Sequence, residues 1–325
     1  MLRLLPALLA TTLSVAAVNA KQLANNEPVV LGHQLPKWAQ GWSLVSNERR
    51  ATIADDDSQR HAGNPAFWDG IVITERKFSE AGFDWHLLNF SSIKNPHSVI
   101  WVVPHDDENG AFEAMIAAIK QHGGMGIVVN SGAGSLRAQA GKGQCGGRPA
   151  IVTFCDPNRN FSSATPLFTS AILDHRTEVS QPVIALHTNG AGGLGDFSLL
   201  DMAKSRRGKL VLRAGAHRAK SPKPQMANYD TLGLIAYAAR DGQPSKKAVA
   251  CRNKLNDAGI HFWHERVDNS DGSLSNYLAL NQPDINYFNA ESREETDLLV
   301  SAARHKIMIG AYLADCVRSG DKPIP

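Results

Sequence analysis

Apolar residues in this chain fall into short continuous runs that alternate with helix-period patterns. The clearest run is Val99-Ile100-Trp101-Val102-Val103, without a polar interruption, as expected of a strand covered on both faces. From Gly110 to Gln121 the apolar positions Phe112, Met115, Ile116 and Ile119 share one side of a helix. Strand-type runs follow at 126–129, 150–154 and 182–186, with a helix at 166–173. The segment 209–212 is a further candidate strand, and 230–240 and 246–258 read as helices. A strand is expected at 285–289 and a long closing helix at 294–317. Strands alternating with helices predict an α/β fold, a mixed, largely parallel sheet sandwiched between helices. Residues 21–95 carry Pro, Gly, Asn and charged clusters, among them Asp55-Asp56-Asp57. They read as an N-terminal extension or subregion ahead of a main domain over 96–325.

The first residues change the picture of where the chain acts. Met1-Leu2-Arg3 is a short positive start, Leu4 to Val18 is apolar, and Val18-Asn19-Ala20 offers small residues at a cleavage position. This is the layout of a secretory signal over residues 1–20, so the expected location is exported, periplasmic or secreted. The apolar run is shorter than the roughly 20 residues of a comfortable span, and no later stretch is long and apolar enough, so no stable membrane anchor is expected. A formal net charge of +3 is too weak to suggest a nucleic-acid partner. Charge is concentrated locally instead, since Lys204, Arg206, Arg207, Lys209, Arg213, Arg218, Lys220 and Lys223 have no acidic residue among them. That stretch is either a solvated loop or a basic rim for an anionic substrate. Of the four cysteines, Cys145 with Cys155 and Cys251 with Cys316 is one of three pairings open to an exported chain, beside four free thiols.

Candidate chemistry gathers where apolar runs end. Pro104-His105-Asp106-Asp107-Glu108 joins the first strand to its helix, and ligands of α/β sheets collect beyond the carboxyl ends of strands. A His and a Glu three apart in a tight turn can face one point, and imidazole with carboxylate suits zinc. Asp156-Pro157-Asn158-Arg159-Asn160-Phe161 follows a second run. Its Arg offers a planar fork and its Asn a neutral donor for a carboxylate, and Asp156 is placed to fix the His105 ring. His187 follows Val183-Ile-Ala-Leu186, and Glu291 follows the run near 286–290. A Glu beside a metal can take the proton of the attacking water; otherwise it is an acid near the start of the closing helix.

The order HxxE, DxNR, a strand-end His and a late Glu resembles the zinc metallocarboxypeptidase superfamily. That superfamily is carboxypeptidase A-like and includes bacterial peptidoglycan carboxypeptidases and the succinylglutamate desuccinylase and aspartoacylase branch. Gly272-Ser273-Leu274-Ser275-Asn276-Tyr277 resembles the segment forming the family's specificity pocket. The resemblance implies one Zn2+ ion on His105, Glu108 and His187, with Glu291 as general base and acid. It implies Asn158 and Arg159 on the terminal carboxylate of a peptide or peptidoglycan-derived substrate, with Tyr277 in the cleft. An Arg that polarises the scissile carbonyl is implied upstream of DxNR, where Arg137 and Arg148 are the candidates. The stretch Glu265-Arg-Val-Asp-Asn269 has no Tyr where digestive members carry a mobile one. The expected activity is an exported zinc-dependent carboxypeptidase-like hydrolase. A catalytically weak envelope-binding relative and a zinc-dependent N-deacetylase or deacylase are the alternatives, the second from the HDDE run.

Overall fold

A computed structural model describes residues 41–50, 52–53, 55–81, 83–130, 156–178, 180–189, 200–201, 211–212 and 214–317. The strands described are β1 (Ser43–Leu44), β2 (Ile71–Glu80), β3 (Phe83–Ser92), β4 (Ile100–Val103), β5 (Met125–Val129), β6 (Val183–Asn189), β7 (Leu200–Asp201), β8 (Val211–Leu212), β9 (Ala216–His217), β10 (Leu232–Ala238), β11 (His261–Val267) and β12 (Tyr287–Arg293). The helices are α1 (Asn47–Arg50), α2 (Asp56–Arg60), α3 (Asn109–His122), α4 (Pro166–Leu173), α5 (Lys246–Asp257), α6 (Leu274–Asn281) and α7 (Leu298–Tyr312). A π-helical turn, Leu313–Val317, continues α7.

Ten strands form one sheet in the order β1-β2-β3-β5-β4-β6-β12-β10-β11-β9, while β7 and β8 pair separately. Its centre, β5-β4-β6-β12, is parallel throughout. The β2–β3 hairpin joins β5 antiparallel on one side, and the parallel pair β10–β11 joins β12 antiparallel on the other. The fold is α/β, with a mixed sheet whose central strands are parallel.

Period-two alternation divides the central side chains between two cores. Trp101, Val103, Ile184, Leu186, Phe288 and Ala290 face α3 and α7, where they meet Phe112, Met115, Met308 and Ile309. Ile100, Val102, Val183, Ala185 and Tyr287 face the opposite layer, with Phe168 of α4 and Leu274 and Leu278 of α6. Continuing the alternation, His187, Asn289 and Glu291 point to the α4–α6 face. The sheet positions the site through this alternation.

Several expectations shift. Residues 230–240, expected to be helical, form β10, held parallel to β11 and antiparallel to β12. Its Leu and Ala content suits a helix, but tertiary pairing overrides that preference. Gly233 shows why the slot takes a strand of this sequence, because an added Cβ would lie 2.6 Å from the Phe288 ring. The strand expected at 285–289 is displaced to Tyr287–Arg293, and the closing helix starts at Leu298 rather than near 294. Asp297 sets that start by accepting from the Leu299 N–H at 3.0 Å. The β2–β3 hairpin was not predicted; its inward positions Ile71, Ile73 and Glu75 alternate with more exposed ones. The strand expected at 150–154, the signal segment 1–20 and most of the basic stretch lie outside the described residues, as do Cys145 and Cys155. Among the described residues no helix is long and apolar enough to cross a membrane.

Cys251 of α5 and Cys316 of the π turn form a disulfide across a separation of 65 residues. Both are buried beside Tyr312 and Leu313. A loop of that length corresponds to about 4 kcal/mol of lost unfolded-chain entropy. Replacing both cysteines with Ala should therefore lower urea-measured stability by as much as about 4 kcal/mol. An unchanged denaturation midpoint would mean that packing alone holds α5 against α7.

Candidate metal centre

His105 and Glu108 lie in the turn between β4 and α3, and His187 enters from the neighbouring strand β6. All three are buried, with exposures of 5%, 3% and 4%. Their ligand atoms all lie within 4.8 Å of one another. His105 Nδ1 is 2.8 Å from Glu108 Oε1, and His187 Nδ1 is 3.0 Å from Glu108 Oε2 and 3.2 Å from His105 Nδ1.

His105 stands between two carboxylates, with Nε2 2.8 Å from Asp156 Oδ1 and Nδ1 facing Glu108. An ionised carboxylate only accepts, so either ring nitrogen can donate to its neighbour. A metal ion on Nδ1 would leave the proton on Nε2, facing Asp156. The donor set fits a metal ion, since bonds of about 2.0–2.1 Å set tetrahedral edges of about 3.3–3.4 Å. The observed separations lie close to that spacing. Burial pushes the Glu108 carboxyl up, but facing His105 and His187 outweighs it and holds the group well below the usual carboxylate range.

Glu291 is not at a strand end, as the sequence suggested, but inside β12, directly opposite His187 in the parallel register. His187 likewise precedes the last two residues of β6. Glu291 is 2% exposed. Burial pushes its carboxyl above the ordinary range and Glu108 adds to that, while His187 and the Asn289 Nδ2–H bond to Oε1 at 2.8 Å oppose it. It is therefore a carboxylate of raised proton affinity beside the ligand group, suited to moving a proton.

The DxNR segment forms a short 3-10 turn, Pro157–Arg159, capped by Asp156, which accepts from the Asn158 N–H at 2.9 Å. The Gly-Ser segment clamps this turn from α6. Leu274 N–H donates to Asn158 Oδ1 at 3.2 Å, and Phe161 N–H donates to Gly272 O at 2.8 Å. Gly272 has φ +84°, and a Cβ there would lie 2.3 Å from Arg159 O, so only glycine fits. The Arg159 guanidinium lies 3.5 Å from Asp271. Tyr277 packs partly buried on the apolar cluster of Leu274 and Leu278. Its described contacts do not reach the ligand group. Arg137 and Arg148 lie outside the described residues.

Three further residues near the centre belong to no sequence motif. Asn289, two residues before Glu291 and therefore on its face, holds that carboxylate; strand periodicity was the one cue that could have found it. His305 reaches from α7 behind the sheet, with its ring between the carbonyls of Ser301 (2.9 Å) and His187 (3.0 Å). Burial pushes its pKa down to about 4 despite those carbonyls. Glu265 on β11 accepts from Ser275 Oγ at 3.3 Å and is pushed up to about 7, chiefly by burial and then by the Asp271 charge.

No protein-family model matches the chain, and no curated protein matches it by sequence. Solved structures do resemble it. One is a protein from Shewanella denitrificans assigned as a metallopeptidase, with 12% identity, TM-score 0.40, and coverage of 81% of this chain and 91% of that one. Another is a metallo-carboxypeptidase from Burkholderia cenocepacia, with 14% identity, TM-score 0.41, and coverage of 79% and 68%. A third is the cell shape determinant protein Csd4 from Helicobacter pylori, with 16% identity, TM-score 0.35, and coverage of 69% and 51%. All three TM-scores are below 0.5. At such scores they decide nothing about chemistry, which rests on the His105–Glu108–His187 group.

The bond from Asp156 to His105 gives a direct test of the centre. Asp156→Asn keeps a cap on the 3-10 turn but presents a neutral group to Nε2. Loss of such a partner typically weakens metal binding about 10–100-fold. Competition titration against a chelator should show that drop, and unchanged affinity would remove Asp156 from the site.

Proposed function

We propose that this protein is an exported zinc-dependent hydrolase of carboxypeptidase type that cleaves the last amide bond of a peptide. The observation that carries the reading is the register of β6 and β12. It puts Glu291 opposite His187, beside a buried His-Glu-His group whose nitrogens and oxygens already have the spacing of ligands.

A bound zinc ion supplies Lewis acidity, making water a nucleophile near neutral pH and polarising the carbonyl. Glu291 takes a proton from the attacking water and returns it to the leaving amine. Its buried setting, which favours the protonated form, makes it competent to hold that proton between the two steps. Asn289 fixes which way the carboxylate faces. Asn158 and Arg159 receive the substrate's terminal carboxylate, which limits cleavage to chain ends. Asp271 beside Arg159 holds the fork in place until a substrate carboxylate arrives. Tyr277, packed into the apolar cluster, is given no part.

Two features support the peptide reading over an N-deacetylase. Deacetylation requires no grip on a free carboxylate, whereas here the Asn-Arg turn is bonded to the His105 side through Asp156 and braced by Gly272. Export follows from the N-terminal pattern. A peptidoglycan stem peptide is the substrate suggested by that location.

The decisive variant is Glu291→Gln, assayed with a peptide panel after zinc loading. It should reduce kcat by at least about 10²-fold while the protein retains its zinc; full turnover would end the general-base role. Arg159→Ala should raise KM for free-acid peptides about 10–100-fold, the value of one charged hydrogen-bonding pair, and leave amidated peptides unaffected. Equal cleavage of amidated and free-acid peptides by the unaltered protein would rule out the carboxypeptidase reading.

A further inference from the structure

Glu265 lies on the same sheet face as Glu291, two strands away, and strand pairing places both. On β10, Leu232 stands opposite Glu291 and Leu234 opposite Asn289, so Leu232, Leu234 and Ala236 share the α4–α6 face. On the far side of β10, Glu265 of β11 stands opposite Ala236 and points the same way. The strip of sheet between Glu291 and Glu265 is thus floored by apolar side chains of β10. Ala236 is small and partly exposed, and with Leu278 and Tyr287 it lines part of a cavity of about 540 Å3. The floor beside Glu265 is therefore not filled by other side chains.

The polar atoms around this strip are short of donors. Asn289 Nδ2 faces Glu291 because a carboxylate only accepts. Its Oδ1 is therefore turned away from Glu291, and it is buried without a hydrogen-bond partner among the described residues. Asn289 as a whole is 4% exposed, and an amide oxygen left unpaired at such a place is costly. Glu265 is partly exposed and accepts from the neutral Ser275 Oγ at 3.3 Å. That hydroxyl has one proton and three oxygen neighbours, on Glu265, Ser273 and Asn276. Arg159 is the cation whose charge reaches Glu265, but its guanidinium lies against Asp271. Burial, Asp271 and Glu291 all oppose the negative charge of Glu265, while Ser275 and Arg159 favour it.

We infer that Glu265, Asn289 and Ser275 receive a side-chain ammonium, so that the preferred chain end is a residue of lysine or ornithine type. The inference rests on the carboxypeptidase reading, in which Arg159 holds the terminal carboxylate while the last side chain runs over β10. Acceptors on β11, β12 and α6 surround one spot from different directions. They suit the compact –NH3+ group, with its three rotatable donors, better than a planar guanidinium fork. The apolar side chains of β10 suit the aliphatic stem. Selectivity follows because a chain end without the amine leaves these oxygens unpaired.

Zinc-loaded full-length protein, given N-acylated peptides that differ only in the last residue, tests the assignment. Chains ending in Lys or ornithine should have kcat/KM about 10–100-fold above chains ending in norleucine, which has the carbon stem of Lys without the amine. Glu265→Gln should bring that ratio close to unity. Equal cleavage of amine-ended and norleucine-ended chains by the unaltered protein would overturn the assignment and leave the carboxypeptidase reading intact. A ratio that survives in Glu265→Gln would do the same. Isothermal titration with free lysine and free norleucine, the products of such cleavage, separates the two readings. If no peptide is cleaved but lysine binds about tenfold more tightly than norleucine, and Glu265→Gln removes the difference, the hydrolytic reading fails and the ammonium site stands. No cleavage and equal binding of the two amino acids would remove both. The comparisons within the unaltered protein decide the matter even if Glu265→Gln fails to fold.

Discussion

The parallel pairing of β6 with β12 is the constraint on which the centre depends. It fixes His187 and Glu291 as direct neighbours on one face of the sheet. A slip of one residue would turn Glu291 into the α3–α7 core and put Ala290 beside the ligand group. The apolar alternation around them forbids that slip, because Phe288 and Ala290 are committed to one core and Tyr287 to the other. The buried Glu291 carboxylate is thus positioned by the packing of apolar neighbours.

The same logic governs the surrounding pieces. His105 is oriented by Asp156, Asp156 is the cap of the Asn158–Arg159 turn, and that turn is clamped by Gly272 and Leu274. The ligand group and the Asn158–Arg159 turn are therefore one hydrogen-bonded unit built from four distant chain segments. Behind the sheet, His305 touches the carbonyl of His187, so α7 bears on the centre without entering it. The loop after β4 serves both faces, presenting His105 and Glu108 to one side while Asp106 meets the acid run of α2.

Much of this was legible in the sequence, for identifiable reasons. Strands covered on both faces leave unbroken apolar runs, so β4, β5 and β6 were readable, and HxxE stood at the end of β4, where α/β sheets gather polar groups. Other elements were hidden because their cause is not local. β10 is composed like a helix and becomes a strand only because β11 and β12 offer it a slot. The β2–β3 hairpin was obscured because its alternation includes the buried acid Glu75, whose charge is met by Arg49 at 2.6 Å. Asn289, Glu265 and His305 belong to no motif, and their roles arise from register and from helix packing. The boundaries around Glu291 moved for the same reason, since β12 ends where its pairing ends and α7 begins only at the Asp297 cap.

The distances within the buried group suit one ion held by His105, Glu108 and His187 together. The decisive measurement is X-ray absorption at the zinc edge, on protein loaded with one equivalent and dialysed. Two imidazole nitrogens at about 2.0–2.1 Å, with the remaining shell made of oxygen, are the predicted result. Loss of the ion on dialysis, or a shell lacking two imidazoles, would contradict it.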